Sequence, residues 1–321
     1  MANPIWKDFY VNLGTADSVQ FRILDDDVVI YAGTSHKRPG HAVNKIRIND
    51  ICADYILTEF PQLGNDFVGH VLSRYVVEIL TDGAYQYCDD AEFYCNWSND
   101  YQFNPLEKGL NCPVNGKVSP LTPIPYSLLH AHEMELESEK TGIIWYQSPN
   151  VKGACGTYMV DINNLPSGDV VSLGEQEVEK SSIYKVVDSC HDYALYYRNA
   201  YGGVDLLLIE GNHAESDNLT RHTREIEYDN NIISNRGIAN YVNEISKTMT
   251  LHTSWLTDEE SSRMHHLFNS TEVYLFDIVN KKMIPVLLTN TTTEYKTYKG
   301  NGGKLVNYAI DIEYANRRVR R

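Results

Sequence analysis

Two histidines one residue apart, His130 and His132, followed by Glu133, form the best metal-binding pattern in the chain. On a strand, residues i and i+2 point the same way, so both imidazoles would face one ion. The chemistry would be that of a metal-dependent hydrolase. The competing reading is an ordinary solvated strand, in which Glu133, Glu135, Glu137 and Glu139 alternate with Met134 and Leu136. No third ligand is tied to His130 and His132 by spacing. The expectation is therefore no metal and no cofactor.

Other patterns yield less. His265 and His266 are adjacent on a helical stretch, where neighbours point about 100° apart and cannot share one ion. Asp25, Asp26 and Asp27 lack the spaced ligands and central glycine of a calcium loop. The run from Gly33 to Gly40, with Lys37 and Arg38, lacks the order of a phosphate loop, and no helix follows it. Cys155 sits between glycines and Cys190 precedes His191, but nothing places a base beside either thiol. None of the six cysteines, Cys52, Cys88, Cys95, Cys112, Cys155 and Cys190, forms a Cys-x-x-Cys pair. Buried free thiols are expected. These residues predict no enzyme.

The elements that would position such groups are mostly strands. The run 19–24 alternates apolar and polar residues, then turns through Asp25, Asp26 and Asp27 into 28–31. The run 43–48 repeats that period of two. Asp82 and Gly83 join 73–80 to 85–95 as a hairpin. From 99 to 126, five prolines and an Asn-Gly dipeptide break the pattern, predicting an irregular excursion. Strands return at 142–146 and 157–162, and a polar stretch at 173–180 marks a boundary. Farther on, 193–201 and 204–209 flank the Gly202-Gly203 turn. One helix is predicted over 257–268, opened by a capping box of Thr257 and Glu260, with Met264, Leu267 and Phe268 on one face.

These runs predict a mainly β, multi-domain, β-sandwich-like architecture with one helix embedded in the C-terminal part. The expected divisions are an N-terminal β domain at 1–98, the Pro-rich excursion with further strands at 99–178, and a C-terminal β domain at 179–321. Val204, Leu206 and Leu208 share one strand face and Leu207 and Ile209 the other, so this strand is expected to be covered twice, at the centre of the last domain.

Composition narrows the function classes. In 321 residues, 28 Lys and Arg face 43 Asp and Glu, a net charge of −15. Such a surface repels phosphate backbones and anionic membranes. The N-terminal residues show no basic segment followed by an apolar one, so no signal peptide is expected. No apolar window is long enough to span a bilayer. The 23 tyrosines fit strands and contact faces.

One resemblance adds to this. The segment Tyr193, Ala194, Leu195, Tyr196, Tyr197 and Arg198 through Gly202-Gly203 to Leu206–Gly211 resembles part of the virion proteins of tailed phages infecting Bacteroidetes. So do Trp255 with Thr257 and Glu260, the run from Ser270 to Asp277, Ile284 to Leu288, and Leu305 to Ala315. The resemblance covers roughly 183–316 and includes neck and tail components of the crAss-like group. It implies a structural, non-enzymatic part of a phage tail or neck that assembles head to tail into a ring. The implied partners are further copies of itself and neighbouring tail, neck or portal proteins. DNA would pass the lumen without specific binding, and no membrane is involved. The implied location is the virion, after synthesis in the host cytoplasm. Expected assembly contacts are Tyr196, Tyr197 and Tyr201, with the basic tail of Arg317, Arg318, Arg320 and Arg321, which reads equally as a solvated tail or as a tether on an acidic neighbour. Two alternatives stand beside this: a carbohydrate-binding or adhesin module, suggested by tyrosines and acidic loops, and the metal hydrolase using His130 and His132.

Overall fold

A computed structural model describes residues 3–5, 8–25, 27–53, 55, 67–68, 72–94, 114–128, 134–147, 156–163, 165–175, 182–188, 192–226, 238–257, 260–261, 263–290, 306–315 and 318–320. The protein is mainly β, with several sheets in a sandwich-like arrangement and short helices at Asn49–Ala53 and Met264–Phe268.

The N-terminal unit is built on hairpins whose turns suit their sequences. Ser18–Asp25 and Val28–His36 pair antiparallel through Asp25 and Val28, and Asp27 takes φ +67°, a left-handed conformation that Asp tolerates. Leu72–Thr81 and Ala84–Tyr94 meet across Asp82 at φ +53° and Gly83 at φ +81°. Positive φ at both turn residues matches the right-handed twist of the flanking strands. These four strands and Asn3–Pro4 form a five-stranded sheet. A second, two-stranded sheet pairs Tyr10–Gly14 with Asn44–Arg47. Val11 and Leu13 from the small sheet share a buried cluster with Phe21, Ile23, Tyr75 and Phe93 from the large one. The helix Asn49–Ala53, absent from the sequence expectation, adds Cys52 to that cluster and accepts the Tyr75 hydroxyl at the Cys52 carbonyl, 3.3 Å away.

Two sheets follow. Ile124–Leu128, Gly156–Val160 and Phe67–Val68 form one, so the first half of the chain lends a strand to the middle. The other has the order Gly142–Gln147, Met134–Ser138, Val170–Glu175, Ser182–Val186 and Val114–Val118. The Pro-rich stretch thus carries regular strands at Val114–Val118 and Ile124–Leu128, with Pro125 paired opposite Met159.

The last sheet has eight strands, led by Val204–Ile209 and then Tyr193–Arg198. The strand Val204–Ile209 is buried at every position. Val204, Leu206 and Leu208 pack with Val118, Leu136, Leu173 and Tyr184 of the middle sheets. Leu207 and Ile209 pack on the other side with Leu251, Met264, Leu267 and Ile310. Coverage on both faces follows the sequence pattern, and within its own sheet the strand lies at the edge. Its outward backbone groups are met by side chains instead. The Val204 N–H donates to Ser127 Oγ at 2.9 Å, and Arg263 Nη2 donates to the Leu206 carbonyl at 2.9 Å. An edge strand closed this way is no template for stray pairing. Gly116 makes room for it: a Cβ there would lie 2.9 Å from Arg263 Nη1 and 3.0 Å from the Tyr184 ring.

The predicted capping box is present. The Thr257 N–H donates to Glu260 Oε2 at 2.8 Å, and the Glu260 N–H to Thr257 Oγ1 at 3.2 Å. Residues 260–261 are helical, as is Met264–Phe268, whose Met264 and Leu267 are buried.

Candidate assembly interface

The structure separates the expected contact tyrosines. Tyr196 is fully buried and its hydroxyl donates to the Pro123 carbonyl at 2.7 Å. Burial pushes that phenol well above its ordinary range. Tyr197 is buried in the opposite cluster, with Leu195 and Leu275. Neither ring is available to a neighbouring copy; both hold core layers together. Tyr201 lies half-buried at the hairpin bend, its ring 5.4 Å from that of His266.

That bend is tightly specified. Gly202 has φ +92°, which a side chain would strain. Asn199 Oδ1 accepts the N–H groups of Tyr201 and Gly203, and its Nδ2 donates to Asp205 Oδ2 at 2.9 Å. The buried Arg198 pairs with Glu272 at 2.6 Å and donates to the Gly202 carbonyl at 2.9 Å. His266 Nδ1 accepts the Ala200 N–H at 3.2 Å, a bond that requires a neutral ring nitrogen. Burial lowers the pKa of this imidazole and outweighs the opposing pull of Asp205. His266 therefore helps to hold the bend in place.

Two exposed features remain. The first is an arm. His213–Glu225 and Ile238–His252 pair along 13 positions of the shorter strand. The root of the second strand, Thr248–His252, belongs to the sheet through Ala309–Tyr314. Beyond it, the shorter strand is exposed nearly throughout, and Leu219, Ile226, Ile238 and Tyr241 all present apolar surface to water. The strand Arg318–Arg320 pairs with Asn243–Ile245 of the same chain, so the basic tail runs along the arm as a short strand. Arg317 and Arg321 lie outside the described residues.

The second is a basic pocket of about 630 Å³ at one end of the N-terminal unit. Arg38, Lys45 and Arg47 line it together with His36, His41 and Tyr10. Arg47 is held by Asp8 at 3.0 Å and by Asp50, and these carboxylates raise its pKa further. Sequence reading weighed the run from Gly33 to Gly40 only as a phosphate loop and did not join it to Tyr10, Lys45 and Arg47. A signal was present, since Lys45 and Arg47 occupy the outward positions of an alternating strand.

His130 and His132 fall outside the described residues, as do Cys95, Cys112, Cys155 and Cys190. Among the described residues, no three His, Cys, Asp or Glu side chains converge as a metal site. Cys52 and Cys88 are free thiols. Burial pushes Cys52 up to about 12, which keeps it protonated and unreactive at neutral pH. No described helix is long and apolar enough to cross a membrane. Compared with known protein families and with curated proteins, the chain matches none.

Proposed function

We propose that this protein is a non-enzymatic structural subunit of a phage tail or neck, which joins further copies of itself into a ring through head-to-tail contacts. The observation that carries the reading is the arm formed by His213–Glu225 and Ile238–His252. Away from its root and from the short Arg318–Arg320 strand the arm is a two-stranded ribbon, and such a ribbon is marginally stable in water on its own. Here its outer strand is exposed and carries apolar Leu219 beside an edge with no strand next to it among the described residues. Such an edge suits pairing with, or packing under, a neighbouring subunit.

The resemblance of 183–316 to virion neck and tail proteins supports the same reading and supplies the setting. Its strands make up the sheet from which the arm extends. A net charge of −15 suits a ring through which DNA passes without adhering. Neighbouring tail, neck or portal proteins are the other partners of such a ring, and the virion is its location.

Amide hydrogen exchange of the purified full chain at low and high protein concentration tests this. Amides of 213–225 gain protection as concentration rises if copies cover the arm. Equal, rapid exchange at both concentrations would contradict the reading.

A further inference from the structure

The large N-terminal sheet ends differently at its two poles. Its strand Ser18–Asp25 spans roughly 25 Å at about 3.3 Å per residue. At its start Ser18 pairs with His36, where the chain enters the loop 37–43 and then Asn44–Arg47, the segments that build the basic pocket. At its far end Asp25 pairs with Val28, and Asp27 sits in the turn between them. Asp27 makes no ion pair among the described residues, and Val28 beside it is 65% exposed.

The basic pocket is preformed. Ser35 Oγ donates to Asn44 Oδ1 at 2.6 Å and Asn44 Nδ2 donates to the Ser35 carbonyl at 3.0 Å, pinning the two ends of the loop together. The Lys37 N–H donates to the Asp17 carbonyl at 2.8 Å, and Lys37 Nζ pairs with the Asp17 carboxylate at 2.6 Å. Gly40 at φ +82° completes the bend. The acids nearest the pocket are thereby engaged: Asp17 by Lys37, and Asp8 and Asp50 by Arg47. Arg38, Lys45, His36 and His41 have no side-chain partner among the described residues. The like charges of Arg38 and Lys45 on this rigid frame repel each other and add nothing to the fold, so they point to an anionic group from outside the chain.

We infer that this pocket receives the acidic turn at Asp27 of a second copy, so that successive N-terminal sheets meet basic pole to acidic pole. This rests on the self-assembly reading above and deepens it by naming the contact. Two different patches meeting is the heterologous geometry a ring requires. The exposed rings and methyls at the poles, Tyr10 at 54% and Val28, supply apolar contact that the charges steer into register.

Sedimentation of the full chain and three variants tests it. Arg38→Glu with Lys45→Glu reverses the pocket. Asp27→Asn with Val28→Lys reverses the turn, and Asn tolerates the left-handed φ of that position. Each pair alone weakens self-association about tenfold or more, and the four changes together restore part of it. Wild-type association also weakens between about 0.05 M and about 0.5 M salt. All four positions are exposed, so thermal melts should match wild type. If either reversal melts early, Arg38→Ala with Lys45→Ala takes its place. Pocket variants that assemble like wild type overturn this inference alone. So does wild-type binding of a DNA duplex of about 20 base pairs that the pocket reversal abolishes while assembly is unchanged. A wild-type chain that stays monomeric overturns the self-assembly reading, and this contact with it.

Discussion

The Tyr196 hydroxyl donates a 2.7 Å hydrogen bond to the carbonyl of Pro123, joining the C-terminal sheet to the loop that precedes Ile124–Leu128. Both groups are buried. Tyr196→Phe keeps the ring in the cluster with Phe276 but leaves the carbonyl without this donor. We expect a loss of about 1–3 kcal/mol, read from urea denaturation. An unchanged midpoint would mean that this bond contributes nothing to holding the two regions together.

Leu207 is 8% exposed and packs with Leu251, Met264 and Leu267. Leu207→Ala should cost about 2–5 kcal/mol through the cavity it leaves. Leu207→Asp should cost more, because it puts a carboxylate among the apolar side chains of that cluster. Far-UV circular dichroism and thermal melts report both. If Leu207→Asp melts like wild type, that face of the strand is not core.

The edge of the same strand gives a separate prediction. Ser127→Ala removes the acceptor of the Val204 N–H and also the 2.8 Å hydrogen bond to Thr157. Stability should fall by about 1–3 kcal/mol, and the Val204 amide should exchange faster than its neighbours. Hydrogen exchange at single-residue resolution checks it; an equally protected Val204 amide would show that something else closes the edge.

What was legible in the sequence was local. Asp82-Gly83 announced its turn because both positions need positive φ, and Thr257 with Glu260 announced a cap because each satisfies the other's backbone N–H. Strict alternation of side chains made the two-sided burial of Val204–Ile209 readable. The edge position of that strand was not readable, because Ser127 and Arg263, which close it, are 77 and 57 residues away in sequence. Tyr196 and Tyr197 look like contact residues by composition, yet tertiary packing buries both. The arm was missed for the opposite reason, since a strand exposed on both faces has no hydrophobic period to detect.

His266 sets a pH dependence. Burial lowers its pKa below the ordinary 6.5, while in the unfolded chain it titrates near that value. The unfolded state therefore binds more protons in the window between the two. Stability is fully present above about pH 6.5 and is lost as pH falls through the lowered folded value. Protonation also removes the Nδ1 acceptor of the Ala200 N–H. Urea midpoints taken from about pH 8 to about pH 5 should fall at the acid end, and His266→Gln should flatten that part of the slope. A wild-type slope that His266→Gln leaves unchanged would assign the titration to another group.

Among the described residues, the tail strand Arg318–Arg320 pairs with Asn243–Ile245. Deleting 317–321 should leave the stability of the core within about 0.5 kcal/mol of wild type, as for other surface changes. Amides at 243–245 should lose protection, and self-association should weaken. A collapse of the core on truncation would show that the tail belongs to it.

Self-assembly is the central claim, and the mass of the native particle tests it most directly. Native mass spectrometry of the purified full chain across a concentration series should show one dominant closed oligomer, an integer multiple of the 36.6 kDa subunit, with no open ladder above it. A single 36.6 kDa species at every concentration would contradict the account.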